Sequence, residues 1–153
     1  MAIEAPSSKY RKNNFKIGIA ICVGLAIWFA YDGYYSEDFK AKHTKDDGTA
    51  DSTLVFNRKS PPYLIGAAVL LGGYLFIIRN KKIIADEKEL IVSDKEKIPY
   101  DCIEKIDKTN FDSKGYFTVT YKDKDDGEVN RRISDRKYDN LAAILEHLVA
   151  KIT

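Results

Sequence analysis

Two cysteines and two histidines are all that this 153-residue sequence offers of the most reactive side-chain types, and no catalytic constellation is found in it. The two cysteines lie far apart, Cys22 in an apolar run and Cys102 in a polar one, so neither a disulfide nor a zinc site is expected from them. His43 stands in a charged stretch and reads as solvated. His147 follows Glu146 near the C-terminus and reads as a surface or boundary residue. Asp123, Asp125 and Asp126 crowd together as calcium ligands do. Gly127, however, arrives one position early for that loop and the distal glutamate is missing, so they read as a solvated turn. There is no glycine-rich phosphate loop and no nucleophile elbow. The expectation is a protein that is not an enzyme, with no cofactor, no metal and no small-molecule substrate.

Charge offers two clusters for binding. Arg131, Arg132, Arg136 and Lys137 fall close together, and Arg79, Lys81 and Lys82 follow an apolar run. All seven are candidate contacts for anionic lipid or an acidic partner, against the plainer reading of a solvated rim. Nucleic acid is not expected, because a domain that binds it is clearly basic. From Lys81 to Thr153 there are 15 basic and 16 acidic side chains, net −1.

The elements that would position these residues begin with two uncharged apolar segments, Ile17 to Tyr31 and Tyr63 to Ile78. They hide in a whole-chain mean hydropathy of −0.35 because the remainder is so polar. A spanning helix needs about 20 mostly apolar residues. The first segment reaches that length by taking in Phe15, Lys16, Tyr34 and Tyr35, with the lysine snorkelling and the tyrosines in an interfacial belt. The second starts at Pro61-Pro62, suited to a first helical turn, and stops at Arg79-Asn80-Lys81-Lys82. Buried core helices would carry a polar face, which neither has. A cleaved signal peptide would carry a small-residue cleavage site, which Ile27-Trp28-Phe29-Ala30-Tyr31 lacks.

Basic residues set the orientation. Lys9, Arg11, Lys12 and Lys16 precede the first segment, and Arg79, Lys81 and Lys82 follow the second. The intervening loop carries Lys40, Lys42, Lys45, Arg58 and Lys59. The bias puts both termini in the cytoplasm. Five regions follow: a cytoplasmic tail over 1–14, a transmembrane helix over 15–35, an extracytoplasmic loop over 36–60, a second transmembrane helix over 61–80 and a cytoplasmic domain over 81–153. In the loop, Leu54-Val55-Phe56 is an apolar island that reads as a short strand or an interfacial contact. Within the spans, Ala20, Gly24, Gly66, Gly72 and Gly73 could let helices approach closely.

Beyond Lys82 the sequence turns β-rich, with turn signals every eight to twelve residues. Phe117, Val119 and Tyr121 alternate with threonines as in a half-buried strand. Asp-Gly at 126–127 supplies the positive φ of a hairpin turn. Leu141, Ile144, Leu145, Leu148 and Ile152 make one apolar helix face, with Asp139 a suitable N-cap. Strands followed by one amphipathic helix predict an α+β domain.

The run Ile98-Pro99-Tyr100-Asp101-Cys102-Ile103-Glu104-Lys105-Ile106, then Lys114-Gly115-Tyr116-Phe117, a further hairpin and a C-terminal helix, resembles the bacterial pleckstrin-homology-like domains that follow membrane anchors. The resemblance covers about the last 70 residues. It implies a small β-sandwich or barrel closed by the C-terminal helix, behind a membrane α-helical hairpin, serving as an interaction or scaffold module. The expected protein is a multi-pass protein of a bacterial inner membrane. Its partners would be the lipid bilayer and a protein bound by the domain, or a membrane complex that it helps assemble. The alternatives are a sensor of anionic lipid and an accessory subunit of a large membrane complex.

Overall fold

A computed structural model describes all residues, 1–153. The chain divides into two units, one made of Met1–Lys12 with Ile77–Thr153, the other of Asn13–Phe76.

In the first unit all strands pair antiparallel. One sheet has the order β1 (Ile3–Pro6), β2 (Lys82–Ala85), β3 (Glu89–Ser93), β4 (Glu96–Pro99); the second has the order β5 (Ile103–Asp107), β6 (Tyr116–Lys122), β7 (Glu128–Ser134). Strand alternation sends Ile83 and Ala85, Leu90 and Val92, Ile98, Phe117 and Val119, and Ile133 into one core. Helix α5 (Leu141–Ile152) adds Leu141, Ile144, Leu145 and Leu148, packing against β1 and β2. The unit is therefore α+β. A short helix, α4 (Phe111–Lys114), links β5 to β6 and ends on Gly115 at φ +71°. A Cβ there would run into the Asp135 carboxylate, so both the backbone and the neighbour require glycine.

The tail expected over 1–14 is in fact structural. Ile3 pairs with Ala85 and Pro6 with Lys82, Ala5 is fully buried, and the Ser7 N–H donates to the Lys81 carbonyl at 2.8 Å. The strand was missed because four residues containing Ala and Pro carry little β signal of their own. Its partner lies almost 80 residues downstream, and that ladder alone makes it a strand. Asp139 also has a different role from the expected cap of α5. Its Oδ2 accepts from the Lys9 N–H at 3.0 Å, at the start of α1 (Lys9–Ala30). Helix α5 follows Asn140, which is left-handed (φ 61°) and makes no side-chain cap. In the β6–β7 hairpin the positive φ belongs to Asp126, not Gly127. The Asp126 N–H closes a turn on the Asp123 carbonyl at 3.0 Å, so the left-handed residue is the last of a three-residue hairpin loop, Lys124 to Asp126.

The second unit is an antiparallel helix pair, α1 and α3 (Ser52–Ile78), joined through a π-helical turn at Tyr31–Tyr35 and α2 (Glu37–Lys42). Lys9–Tyr35 and Ser52–Ile78 are long and apolar enough to cross a membrane. Phe15 meets Tyr74 at 5.0 Å, Gly18 approaches Leu71, and Phe29 meets Phe56 edge-on at 5.5 Å. Helix α3 starts nine residues before the position expected from Pro61-Pro62, so Leu54-Val55-Phe56 is helical rather than a strand. Asp51 sets that start: its Oδ1 accepts from the Leu54 N–H at 2.9 Å. The prolines are therefore interior. Pro62 cannot donate to the Arg58 carbonyl, and the Tyr34 hydroxyl donates to it instead at 3.1 Å.

Candidate interaction surfaces

The seven basic residues singled out from sequence do not form one patch. Arg131 and Arg132 are successive on β7 and point to opposite faces. Arg131 Nη2 lies 3.1 Å from Glu96 Oε2, while Arg132 stacks 3.5 Å above the Tyr116 ring. Arg136 and Lys137 are exposed in the following turn. The Lys137 carbonyl accepts from the Ser8 N–H at 2.9 Å, which helps hold the N-terminal strand. Arg79 is exposed at the end of α3.

The fold does gather Lys81, Lys82 and Arg131. They line a recess of about 520 Å³ with Ile84, Ser93, Asp94 and Tyr138. Its cations are largely matched by acids: Lys82 Nζ sits 2.6 Å from Glu4 Oε1, Arg131 pairs with Glu96, and Asp94 lies on the wall. Glu96 also accepts from the Tyr121 hydroxyl at 3.2 Å, so β4, β6 and β7 meet in one polar cluster. Burial, and then the Glu96 charge, push the Tyr121 phenol up. Tyr100 is pushed up to about 12 by burial and then by Asp86 and Glu89. Both phenols therefore stay protonated and act as donors, Tyr100 to the Asp86 carbonyl.

A second surface was missed by sequence reasoning. Along α5 runs a groove of about 770 Å³ whose apolar lining is Phe111, Ala142, Leu145, Val149 and Ala150, with Lys108, Asp112 and Glu146 at its rim. Ala142 and Ala150 are exposed, on the side of α5 away from the buried Ile144 and Leu148. The available signal was small residues in place of charges on the outer face of a surface helix, together with a lone Phe111 in a polar stretch.

In the second unit, Gly33 lets the two helices touch. A Cβ at this position would lie 3.1 Å from the Asn57 carbonyl carbon and the Arg58 nitrogen. Arg58 Nε donates to the Gly33 carbonyl at 2.8 Å, and its guanidinium lies 5.9 Å from the Tyr34 ring centre. His43 is not simply solvated as expected: its Nδ1 is 2.8 Å from Asp51 Oδ2, and its ring packs 4.4 Å from Phe39. The Leu54 N–H, then His43, hold the Asp51 carboxyl below its usual range. His147 is half-buried, with Nε2 3.2 Å from the Asp86 carbonyl and its ring edge-on to Tyr100. Cys22 and Cys102 are free and belong to different units, and no group of three His, Cys, Asp or Glu side chains is placed to hold a metal ion.

No family model, no curated protein and no solved structure matches the chain.

Proposed function

We propose that this is a non-enzymatic, membrane-anchored interaction protein, in which α1 and α3 cross the bilayer and hold a pleckstrin-homology-like body at its surface. One observation carries the reading. Residues from before α1 and after α3 build a single folded unit, with β1 and β2 paired side by side. That sharing requires both flanks on the same side of the membrane, which two crossings provide. Basic residues at both flanks support a cytoplasmic side, and the resemblance of the body to bacterial pleckstrin-homology-like domains supports a bacterial inner membrane. Antiparallel sheets of four and three strands with a closing C-terminal helix support the pleckstrin-homology-like assignment.

The body binds a protein segment in the α5 groove, whose walls are apolar and whose rim carries both charge signs. The other reading, a sensor of anionic lipid, is supported by Lys81, Lys82 and Arg131 in one recess. It is weakened by the acids Glu4, Glu96 and Asp94 beside them. Photo-crosslinking tests the choice. A photoreactive residue at Ala142 of the full chain in native membranes should give one discrete protein adduct that Ala150→Arg removes. Absence of any adduct, together with salt-sensitive binding of the purified chain to anionic vesicles that needs Lys81 and Arg131, would favour the lipid sensor.

A further inference from the structure

The recess that gathers Lys81, Lys82 and Arg131 also holds two charges with no partner in the chain. Lys82 is committed to Glu4 and Arg131 to Glu96. Lys81 and Asp94 are exposed and take part in none of the ion pairs. Each sits on fixed backbone. The Lys81 carbonyl accepts from the Ser7 N–H at 2.8 Å. The β3–β4 turn that carries Asp94 is held by the Glu96 N–H, which donates to Ser93 Oγ at 3.1 Å. The recess therefore presents one open cation and one open anion. Its wall also includes Ile77, in the last turn of α3. Ile77 is 60% exposed, in a unit that turns its other large apolar side chains inward apart from Met1 and Tyr10.

We propose that this recess binds the headgroup of a zwitterionic phospholipid, one carrying a phosphate and a primary ammonium. Lys81 Nζ donates to the phosphate, the lipid ammonium donates to the Asp94 carboxylate, and the acyl end lies against Ile77. The inference rests on the membrane-spanning reading given above. Residue order agrees with it. Helix α3 ends in Phe76-Ile77-Ile78, and Arg79-Asn80-Lys81-Lys82 follow. The apolar wall thus lies towards the bilayer and the charges lie beyond it, at headgroup level. The charges select the occupant. An anionic headgroup satisfies Lys81 but brings a like charge to Asp94, and a cationic ligand does the converse. A free zwitterion matches both charges and leaves Ile77 uncovered. A zwitterion with an acyl end matches all three.

The test uses the full chain purified in detergent and mass spectrometry of the intact protein with its retained lipid. Phosphatidylethanolamine and phosphatidylglycerol with the same acyl chains are supplied in equal amounts. Phosphatidylethanolamine should be retained in preference. Lys81→Gln should lower retention of both lipids about fivefold, the equivalent of ~1 kcal/mol for a basic residue at the headgroup. Asp94→Asn should lower retention of phosphatidylethanolamine alone, and Asp94→Lys should reverse the preference. Preference for phosphatidylglycerol in the unmodified chain, or phosphatidylethanolamine retention unmoved by both Asp94 variants, would overturn the ammonium contact. Indifference to Lys81→Gln would overturn the phosphate contact. Displacement by an equal concentration of glycerophosphoethanolamine would overturn the lipid as occupant. Both residues are exposed, so the variants keep the fold, which a thermal melt of each checks. Retention in alkaline-washed membranes tests the spanning reading separately.

Discussion

The two units of this chain deal with apolar surface in opposite ways. In the first, the large apolar side chains turn inward, and of these only Met1, Tyr10 and Ile77 are strongly exposed. In the second, Ile17, Ile21, Ile27, Trp28, Tyr63, Val69, Leu70 and Phe76 all face out, while only Ala26, Leu54 and Ala68 of its apolar residues are buried. The difference is where each unit finds its apolar solvent. The first makes its own from fourteen buried side chains. The second leaves its apolar surface exposed and satisfies its backbone locally through helical hydrogen bonds, the arrangement that the proposed bilayer setting would require. Contacts within the pair are accordingly few and specific: a glycine touching backbone, and a tyrosine standing in for the donor a proline lacks.

The largest effect should come from removing the strand that precedes α1. Deleting Met1–Ser8 takes Ala5 from the core and bares the edge of β2. A fragment of Lys81–Thr153 alone should show no cooperative melt by circular dichroism. Joining Met1–Ser8 to Lys81–Thr153 through a short glycine turn, in place of Lys9–Asn80, should restore one, because Ser7 and Lys81 are already hydrogen-bonded. A cooperative melt for the fragment without the strand would show that the body is complete without it.

Within the core, Leu148→Ala should cost about 2–5 kcal/mol in denaturant titration, whereas Glu146→Ala, on the exposed face of α5, should be close to neutral. Gly115→Ala should cost about 1–3 kcal/mol through its backbone angle alone, and more through the collision with Asp135. If Leu148→Ala is as mild as Glu146→Ala, the helix is not part of the core.

In the helix pair the expected effects are smaller and pairwise. Tyr34→Phe should cost about 1 kcal/mol by removing the donor to the Arg58 carbonyl. In a Pro62→Ala background the same change should cost almost nothing, because residue 62 then supplies the helical N–H. Equal costs in both backgrounds, measured as a double-mutant cycle in detergent, would break the link between the proline and the tyrosine.

The smallest effect is a pH dependence at the start of α3. Asp51 has its folded pKa lowered, by the Leu54 N–H first and His43 second. Its stabilising contribution is therefore complete above the ordinary value of 3.8 and is lost as pH falls through the lowered folded value. Protection of the Leu54 amide, measured as its exchange rate relative to the intrinsic rate at each pH, should fall on acidification in that window. Asp51→Asn should abolish the pH dependence; a variant that keeps it would assign the effect to another group.

The Asp51 cap shows why some features were legible in the sequence and others were not. Local signals read correctly: the long apolar runs, the alternation over Phe117, Val119 and Tyr121, and the apolar stripe of α5 all follow from periodicities within a few residues. Proline misled, because Pro61-Pro62 reads as a helix start unless a distant hydroxyl is known to accommodate it. Aspartate misled as well, because Asp139 lies next to α5 in sequence but beside Lys9 in space. The basic cluster divided because adjacent strand residues point to opposite faces, which sequence proximity conceals.

The sequence by itself determined that two helices would be apolar over their whole circumference and that a β-rich segment with a terminal helix would follow, since hydrophobic period and composition act over short range. Tertiary structure alone decided that the first eight residues belong to that later segment, that Lys81, Lys82 and Arg131 share a recess while Arg132 does not, and that Ser60 is left without a partner. Each of these depends on a pairing between distant residues, and such pairings are fixed only when the whole chain finds the one arrangement in which its strands, caps and buried polar groups are satisfied together.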